Sequence, residues 1–348
     1  MMGVARFPFS IGIPMRRWLL ALALLSTAAC VSAADVCPVL RNQMAAADTA
    51  TRIAAVACNE HLLWYRAFID RNGRLASATV SEGEATRLGD GQSQAWRHVA
   101  RYWQESGLLR SAQHRPGASD CQYAGSETYP APTCRGFVID NAWSATFVSW
   151  VMLKAGLPGF RPDASHVGYV RAAYREPQTN AYQYLDPAHA RPGPGDLLCY
   201  VRQPGRVFGY PGLQTVVQGE DGLNMHCEIV VAANPGNDGT AYLIGGNVQQ
   251  GVTLRMLALN RNGEFWGLPL RSGDDTPCSP DSESGCNFNR QDWAVLLKLK
   301  PAQALAQLPP ASGLVAGPWL PTQPATPRCC IRCVVGAGVP RCPPDQTQ

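Results

Sequence analysis

The period of the hydrophobic pattern changes about halfway along the chain, and this change constrains the fold more than any other feature. Residues 44–70, 92–106 and 142–155 place apolar side chains at helical spacing. Short apolar runs separated by turn signals follow at 196–201, 226–232, 242–244, 252–257 and 293–299. Helices followed by strands predict an α+β domain, in which N-terminal helices precede an antiparallel sheet.

The first 34 residues predict an export signal. Arg16 and Arg17 precede an apolar run over 18–25, and residues 31–33 form a small-x-small cleavage site. The apolar run is shorter than the roughly 20 residues that a membrane-spanning helix needs, and no later segment comes close. We therefore expect a mature chain that begins at or near Ala34, in the periplasm or outside the cell. The alternative is a lipoprotein processed at Cys30.

The charge balance argues against one class of partner. The formal net charge of the 348 residues is +4, and three of the 30 basic residues lie in the export segment, which contains no acid. The rest of the chain therefore carries 27 basic and 26 acidic residues. Nucleic-acid binding relies on a basic surface, so we expect no nucleic-acid partner.

The cysteines indicate an oxidising compartment. Thirteen are present, and without Cys30 an even number remains, as in a chain stapled by disulfides. Three pairs are close in sequence and predict local disulfides: Cys37 with Cys58, Cys121 with Cys134, and Cys278 with Cys286. Cys199 and Cys227 fall inside predicted strands, where a cross-strand disulfide and two buried thiols remain alternatives. Four further cysteines crowd the tail, at 329, 330, 333 and 342.

These features divide the chain into four predicted segments. Residues 1–33 form a signal peptide, 34–110 an N-terminal helical region, 111–305 the main domain, and 306–348 a tail rich in proline and cysteine. A zinc site at the tail's C-x-x-C is the alternative to disulfides there. Because structural zinc sites use four spaced ligands, disulfides fit the tail better, and we expect no metal.

Four short motifs in the main domain contain residues that could carry chemistry. Each lies at the start or the end of a predicted helix or strand. W-S-A-T-F-V-S-W at 143–150 opens the third predicted helix, and P-G-D at 194–196 leads into a strand. His226 begins the next strand, and G-G-N at 245–247 ends a third. Asp196 of the second motif is expected to hold a turn.

The order of these motifs resembles that of the papain-like cell-wall hydrolases of the CHAP and NlpC type. The W-S-A-x-F-V-S-W form itself resembles an uncharacterised bacterial family of domains of unknown function. The resemblance covers roughly residues 135–260 and implies a papain-like fold, hydrolysis of amide bonds in peptidoglycan peptides, and no metal or organic cofactor. One departure matters: Ser144 stands where the hydrolases keep a catalytic cysteine.

The resemblance also assigns roles to residues. Ser144 would attack the carbonyl carbon, His226 would act as base through a hydrogen bond of ~2.6–3.2 Å, and backbone N–H groups at the helix start would bind the oxyanion. Asn247 or Glu228 would orient His226; Glu228 lies two residues away, on the same side of the strand. Trp143 and His166 are candidates for substrate binding.

Each assignment has an alternative. Ser144 could cap or pack the helix, and His166 could be a loop histidine whose hydrogen bonds are satisfied within the protein. The whole domain could be a non-catalytic module that binds peptidoglycan or a partner protein. It could also be a serine acyl-hydrolase that acts on another substrate.

Overall fold

An eight-stranded sheet organises the protein in a computed structural model that describes residues 36–311, apart from 127, 273, 274 and 277. The strand order is β2-β1-β7-β6-β5-β4-β8-β3. The strands are β1 (Ala67–Ile69), β2 (Leu75–Ala76), β3 (Tyr182–Leu185), β4 (Leu197–Val201), β5 (Met225–Ala233), β6 (Thr240–Val248), β7 (Gly251–Ala258) and β8 (Asp292–Leu299). The predicted cleavage site, Cys30 and the tail cysteines lie outside the described residues.

Nine α-helices are described in the same part of the chain. They are α1 (Val36–Arg41), α2 (Thr49–Leu63), α3 (Ala95–Glu105), α4 (Leu108–Ser111), α5 (Pro132–Asp140), α6 (Ser144–Lys154), α7 (His166–Arg175), α8 (Gly209–Gln218) and α9 (Ala302–Leu305). Short 3-10 helices lie at Ala118–Tyr123, Pro235–Asn237 and Glu283–Gly285. Among the described residues, no helix is long and apolar enough to cross a membrane.

The predicted α+β class is confirmed, and two of its details are corrected. The sheet is mostly antiparallel, but β1 pairs in parallel with β7, with Phe68 opposite Leu254. The N-terminal region therefore contributes strands as well as helices. The predicted helix over 44–70 ends early because Tyr65 and Arg66 both adopt a positive φ of 62°, which turns the chain out of α2 and toward β1.

The five predicted strands and the other two predicted helices are present, with ends shifted by a few residues. Two stretches rich in glycine, for which the sequence predicts no helix or strand, also contain regular structure. The stretch 202–224 includes α8, whose first turn is held by the Asp292 carboxylate through bonds from the backbone N–H groups of Phe208 and Gly209, at 2.7 and 2.8 Å. The stretch 111–135 includes a 3-10 helix and the start of α5.

The sheet has an apolar core on each face. Alternate residues of β4 separate the two: Cys199 and Val201 belong to the larger core, which the helices cover, and Leu198 and Tyr200 belong to the smaller one. Helix α6 lies deep in the larger core, with ten consecutive residues from Ser144 to Leu153 buried. The helix packs against β5 and β6.

Four disulfides are present in the described residues. The three predicted local pairs, Cys37–Cys58, Cys121–Cys134 and Cys278–Cys286, are confirmed, with Cα–Cα distances of 5.3, 4.7 and 4.5 Å. Cys199 and Cys227 form a fourth bond between directly opposed residues of β4 and β5. Of the two alternatives for this pair, the cross-strand disulfide is the one observed. It lies next to His226 in the chain.

Candidate active site

Ser144 is the first residue of α6, and its hydroxyl does not cap the helix. Oγ lies 2.8 Å from Nε2 of His166. The first backbone N–H groups of a helix have no partner within that helix, and the helix dipole makes this end partly positive. The hydroxyl therefore sits where negative charge on a nearby oxygen is favoured, and its hydrogen-bond partner is an imidazole.

His166 is the first residue of α7 and contacts a tyrosine one helical turn later. Nδ1 of His166 makes a short hydrogen bond with the hydroxyl of Tyr169. When Nδ1 carries the proton and donates it to Tyr169, Nε2 is free to accept the hydrogen bond of Ser144. Burial lowers the pKa of His166 well below its usual value of 6.5, and the charges of His226 and Arg202 act in the same direction. The ring is therefore neutral at neutral pH.

The hydrogen bond predicted between Ser144 and His226 is not formed. His166 occupies the place of partner to Ser144, and neither ring nitrogen of His226 has a hydrogen-bond partner among the described residues. The two histidine rings are nevertheless neighbours, with centroids 5.1 Å apart. The sequence pattern missed this because α7 brings His166 to Ser144 through a tertiary contact across 22 residues. The alternative for His166 is confirmed in one part and corrected in the other: both ring nitrogens have partners within the protein, but the residue begins a helix and does not lie in a loop.

Glu228 is the carboxylate closest to His226, and an arginine holds it in place. Oε1 of Glu228 lies 3.5 Å from Nε2 of His226, which is longer than a hydrogen bond. Arg255 donates two hydrogen bonds to the Glu228 carboxylate, at 2.8 and 2.9 Å. Burial alone would raise the pKa of Glu228, but Arg255 and His226 together outweigh it, and the pKa falls to about 2. Glu228 is therefore a fixed negative charge beside His226.

The glycines of the G-G-N motif allow close packing around these side chains. A methyl group added at Gly245 would lie 3.0 Å from Nε2 of His226 and 2.8 Å from Cγ of Glu228. One added at Gly246 would lie 2.4 Å from the ring of Phe147 in α6. All three distances are too short for an unstrained carbon contact, so the two glycines allow β6 to pack closely against the site and against α6.

Asn247 acts on the start of α6 rather than on His226. With its amide nitrogen facing Glu82, Asn247 donates to Oε2 of Glu82 at 3.3 Å and accepts from the backbone N–H of Trp143 at 3.2 Å. Burial raises the pKa of Glu82 to about 7. Sequence analysis missed Glu82, because it lies in a stretch without periodicity or motif. Of the two residues predicted to orient His226, the geometry favours Glu228.

Trp143 is fully enclosed, in contrast to its predicted place in a substrate groove. Its exposed fraction is 0%, and its indole stacks on Trp64 and Tyr102 with ring centroids 5.7 and 5.6 Å apart. Tyr102 in turn donates to Glu60 at 2.5 Å, and Glu60 bonds Nε2 of His98 at 2.8 Å. This buried network anchors the residue that precedes Ser144, which is a structural role.

Asp196 of the P-G-D motif has the turn-forming role expected from the sequence. Its carboxylate accepts from the backbone N–H groups of Gly193 and Leu299, at 2.7 and 2.8 Å, and from Nζ of Lys298 at 2.8 Å. These bonds fix the entry to β4 against the end of β8. In the part of the chain that the structure describes, no group of three or more metal-ligating side chains is assembled.

Comparison with known proteins gives one match. The model of a family described as an uncharacterised protein conserved in bacteria, DUF2272, matches residues 90–299. No curated protein and no solved structure matches the chain. The matched range contains all four motifs and both histidines of the site.

Proposed function

Because the chain belongs to DUF2272, a family of uncharacterised bacterial proteins, we propose a function from its own geometry: an exported serine hydrolase that cleaves amide bonds in peptidoglycan peptides. The observation that carries the proposal is the 2.8 Å hydrogen bond between Ser144 Oγ and His166 Nε2 at the start of α6. A hydroxyl bonded to a neutral imidazole is the arrangement that general-base catalysis by serine requires. We also infer that α6 and the strands beneath it form a papain-like core, which the motif order supports.

In the proposed first step, Oγ of Ser144 attacks the carbonyl carbon of the scissile amide. A C–O bond forms while the hydroxyl proton moves to Nε2 of His166, and the carbonyl oxygen takes up negative charge. The free N–H groups in the first turn of α6 stabilise this oxyanion. With the proton on Nδ1, Tyr169 accepts the hydrogen bond of Nδ1, and this contact favours the tautomer in which Nε2 is the base.

In the second step the C–N bond breaks, and His166 returns its proton to the departing amine nitrogen. The acyl group stays on Oγ of Ser144 as an ester. A water molecule then attacks the ester carbon, again giving a proton to Nε2 of His166, and the C–O bond to Ser144 breaks as that proton returns to Oγ. The products are an amine and a carboxylate.

His226 is assigned a supporting role beside this pair. Its ring adjoins that of His166, and both of its nitrogens are free of protein partners among the described residues. Burial lowers the pKa of His226, with Glu228 acting in the opposite direction, so the ring is neutral at neutral pH. A neutral ring offers one donor and one acceptor to a bound substrate or water.

A second candidate function follows from the burial of the site. Ser144 and His166 are only 6% and 3% exposed. In a non-catalytic module that binds peptidoglycan, the same hydrogen bond would simply satisfy two buried polar groups. The two candidates differ in whether the pair reacts with substrate.

Release of peptide from purified sacculi tests the proposal. Wild-type protein should release soluble peptide, and Ser144→Ala or His166→Gln should each lower the rate at least ~1,000-fold, because the residues act as one unit. Ser149→Ala is the matched control: Ser149 lies in the same helix, but its hydroxyl bonds the carbonyl of Asp163 at 2.9 Å, and its loss should leave the reaction intact. Binding of wild type to sacculi without any release would favour the binding module.

A further inference from the structure

His226 is a buried side chain whose capacity to form hydrogen bonds is unused. It is 1% exposed, and neither Nδ1 nor Nε2 has a hydrogen-bond partner among the described residues. Buried polar atoms without a partner are rare in folded proteins, because leaving them unpaired costs stability. A ligand group that pairs with such an atom recovers this cost, so the unpaired nitrogens point to a ligand.

Glu228 determines which nitrogen of His226 carries the proton. Burial lowers the pKa of His226, so the ring is neutral and carries a single proton. Oε1 of Glu228 lies 3.5 Å from Nε2, and Arg255 holds the carboxylate through two hydrogen bonds of 2.8 and 2.9 Å. A carboxylate repels the lone pair of an unprotonated nitrogen and attracts an N–H group. The proton is therefore on Nε2, and Nδ1 is left as a hydrogen-bond acceptor.

The ring of His226 adjoins the reacting groups. Its centroid lies 5.1 Å from that of His166, whose Nε2 lies 2.8 Å from Oγ of Ser144. In the proposed reaction His166 returns a proton to the nitrogen of the scissile amide, so that nitrogen must lie beside the His166 ring. The neighbouring ring of His226 then offers an acceptor close to an amide nitrogen that carries one N–H group.

We propose that Nδ1 of His226 accepts a hydrogen bond from the N–H group of the scissile amide. His226 is then the residue that determines specificity: it favours secondary amides over esters and over tertiary amides such as the bond before proline, which lack this donor. A site built to pair with an N–H group rejects an analogue without it, since the buried acceptor then stays unpaired. This inference rests on the proposed hydrolase function and deepens it.

The tautomers of the two histidines give a test that needs no substrate. Long-range heteronuclear NMR spectra of imidazole rings distinguish a protonated nitrogen from an unprotonated one. In wild-type protein we expect the proton on Nε2 in His226 and on Nδ1 in His166, because Glu228 lies beside one ring and Tyr169 beside the other. A proton on Nδ1 of His226 would overturn the inference.

Two probe peptides that differ in one group test the hydrogen bond itself. One is an acetylated tetra-alanine peptide, and the other is its depsipeptide twin, in which an ester oxygen replaces the central N–H group. In calorimetric titrations of Ser144→Ala, which cannot form the acyl ester, the amide peptide should bind about tenfold more tightly than its twin. Addition of His226→Leu removes the acceptor and should make the two dissociation constants equal. His226→Asn, whose amide oxygen can replace Nδ1, should retain part of the difference.

Tyr200→Phe is the matched control for a change beside the His226 ring. The Tyr200 ring lies 5.2 Å from that of His226, and this substitution removes only a hydroxyl group. In the same Ser144→Ala background it should leave the difference between the two peptides unchanged. Equal binding of the two peptides, binding of neither, or a preference that persists in His226→Leu would overturn the inference.

Release of peptide from sacculi by wild type separates this inference from the hydrolase proposal. Release without any difference between the two probe peptides would leave hydrolysis in place and reject the role of His226. A preference for the amide peptide that depends on His226, with no release from sacculi, would leave His226 as the acceptor of an amide N–H group and reject hydrolysis.

Discussion

At the residue scale, the choice between a thiol and a hydroxyl as nucleophile determines when the neighbouring imidazole must accept the proton. A thiol with a pKa of ~8.5 can pass its proton to a neighbouring imidazole before attack, whereas a serine hydroxyl loses its proton only during attack. Ser144 therefore needs a base already within hydrogen-bond distance, and His166 lies at 2.8 Å. His226, the histidine that the motif order favours, has no such bond.

The pH dependence of hydrolysis reports which base is used. The base is active when unprotonated, and burial lowers the pKa of His166 below 6.5, so activity should persist to lower pH than for an ordinary histidine. We expect the acid limb of kcat/KM to have its midpoint below pH 6.5. Glu82, with a pKa of about 7, would instead give a limb near that value. The limb should therefore be unchanged in Glu82→Gln, and a shift in that variant would contradict the assignment to His166.

Glu82 should make stability depend on pH in the opposite direction from an ordinary carboxylate. Its folded pKa of about 7 lies above the usual 4.5, so the folded state keeps the proton while the unfolded chain loses it. The loss of unfolding free energy caused by the raised pKa of Glu82 grows as pH rises from 4.5 to about 7 and is constant above that. Glu82→Gln should therefore stabilise the protein at pH 8 by roughly 1–3 kcal/mol relative to wild type and have little effect at pH 4. Urea denaturation at both pH values measures this, and equal stability at pH 8 would refute it.

At the scale of elements, close packing of α6, β5 and β6 brings the site together. The sequence predicted α6 and the strands β4, β5 and β6 correctly, because long apolar patterns and glycine or proline signals are local. It missed β1, β2 and β3, since strands of two to four residues show no clear alternation. It also missed the partner of Ser144, because which histidine reaches the hydroxyl depends on how α7 docks, and no local pattern encodes that.

Gly245→Ala tests whether close approach of β6 positions the site. The added methyl group would press on His226 and Glu228 at 3.0 and 2.8 Å, so we expect a loss of about 1–3 kcal/mol in unfolding free energy and slower peptide release. Gly136→Ala in α5 is the control, because a methyl group there meets no atom within 4 Å and should be neutral or stabilising. Wild-type stability and activity in Gly245→Ala would show that the strand does not constrain the site.

At the scale of the whole molecule, the N-terminal region and the matched family region share one core. Ile53 and Val56 of α2 are buried together with Phe147 of α6 and Val295 of β8. Strand β1 also extends the sheet by pairing with β7. The sequence-predicted boundary between 110 and 111 therefore runs through a continuous core, which periodicity alone could not reveal because packing partners are distant in sequence.

A chain that begins at residue 90, where the family match begins, should not fold into a stable domain. It would lose α2 and β1, leaving an apolar face of the sheet and of α6 exposed. We expect no cooperative thermal transition and weak near-ultraviolet circular dichroism, whereas a chain covering residues 36–311 should unfold cooperatively. Cooperative unfolding of the shorter chain would show that the N-terminal region is a separate unit.

The reactivity of Ser144 tests the central claim most directly. A fluorophosphonate labels a serine whose hydroxyl is activated by a base, and the labelled residue can be identified by peptide mass spectrometry. The account predicts one adduct, on Ser144, and at least ~100-fold slower labelling in His166→Gln than in wild type, with His226→Gln affected less. Absence of an adduct on Ser144, or labelling that is as fast in His166→Gln as in wild type, would contradict it.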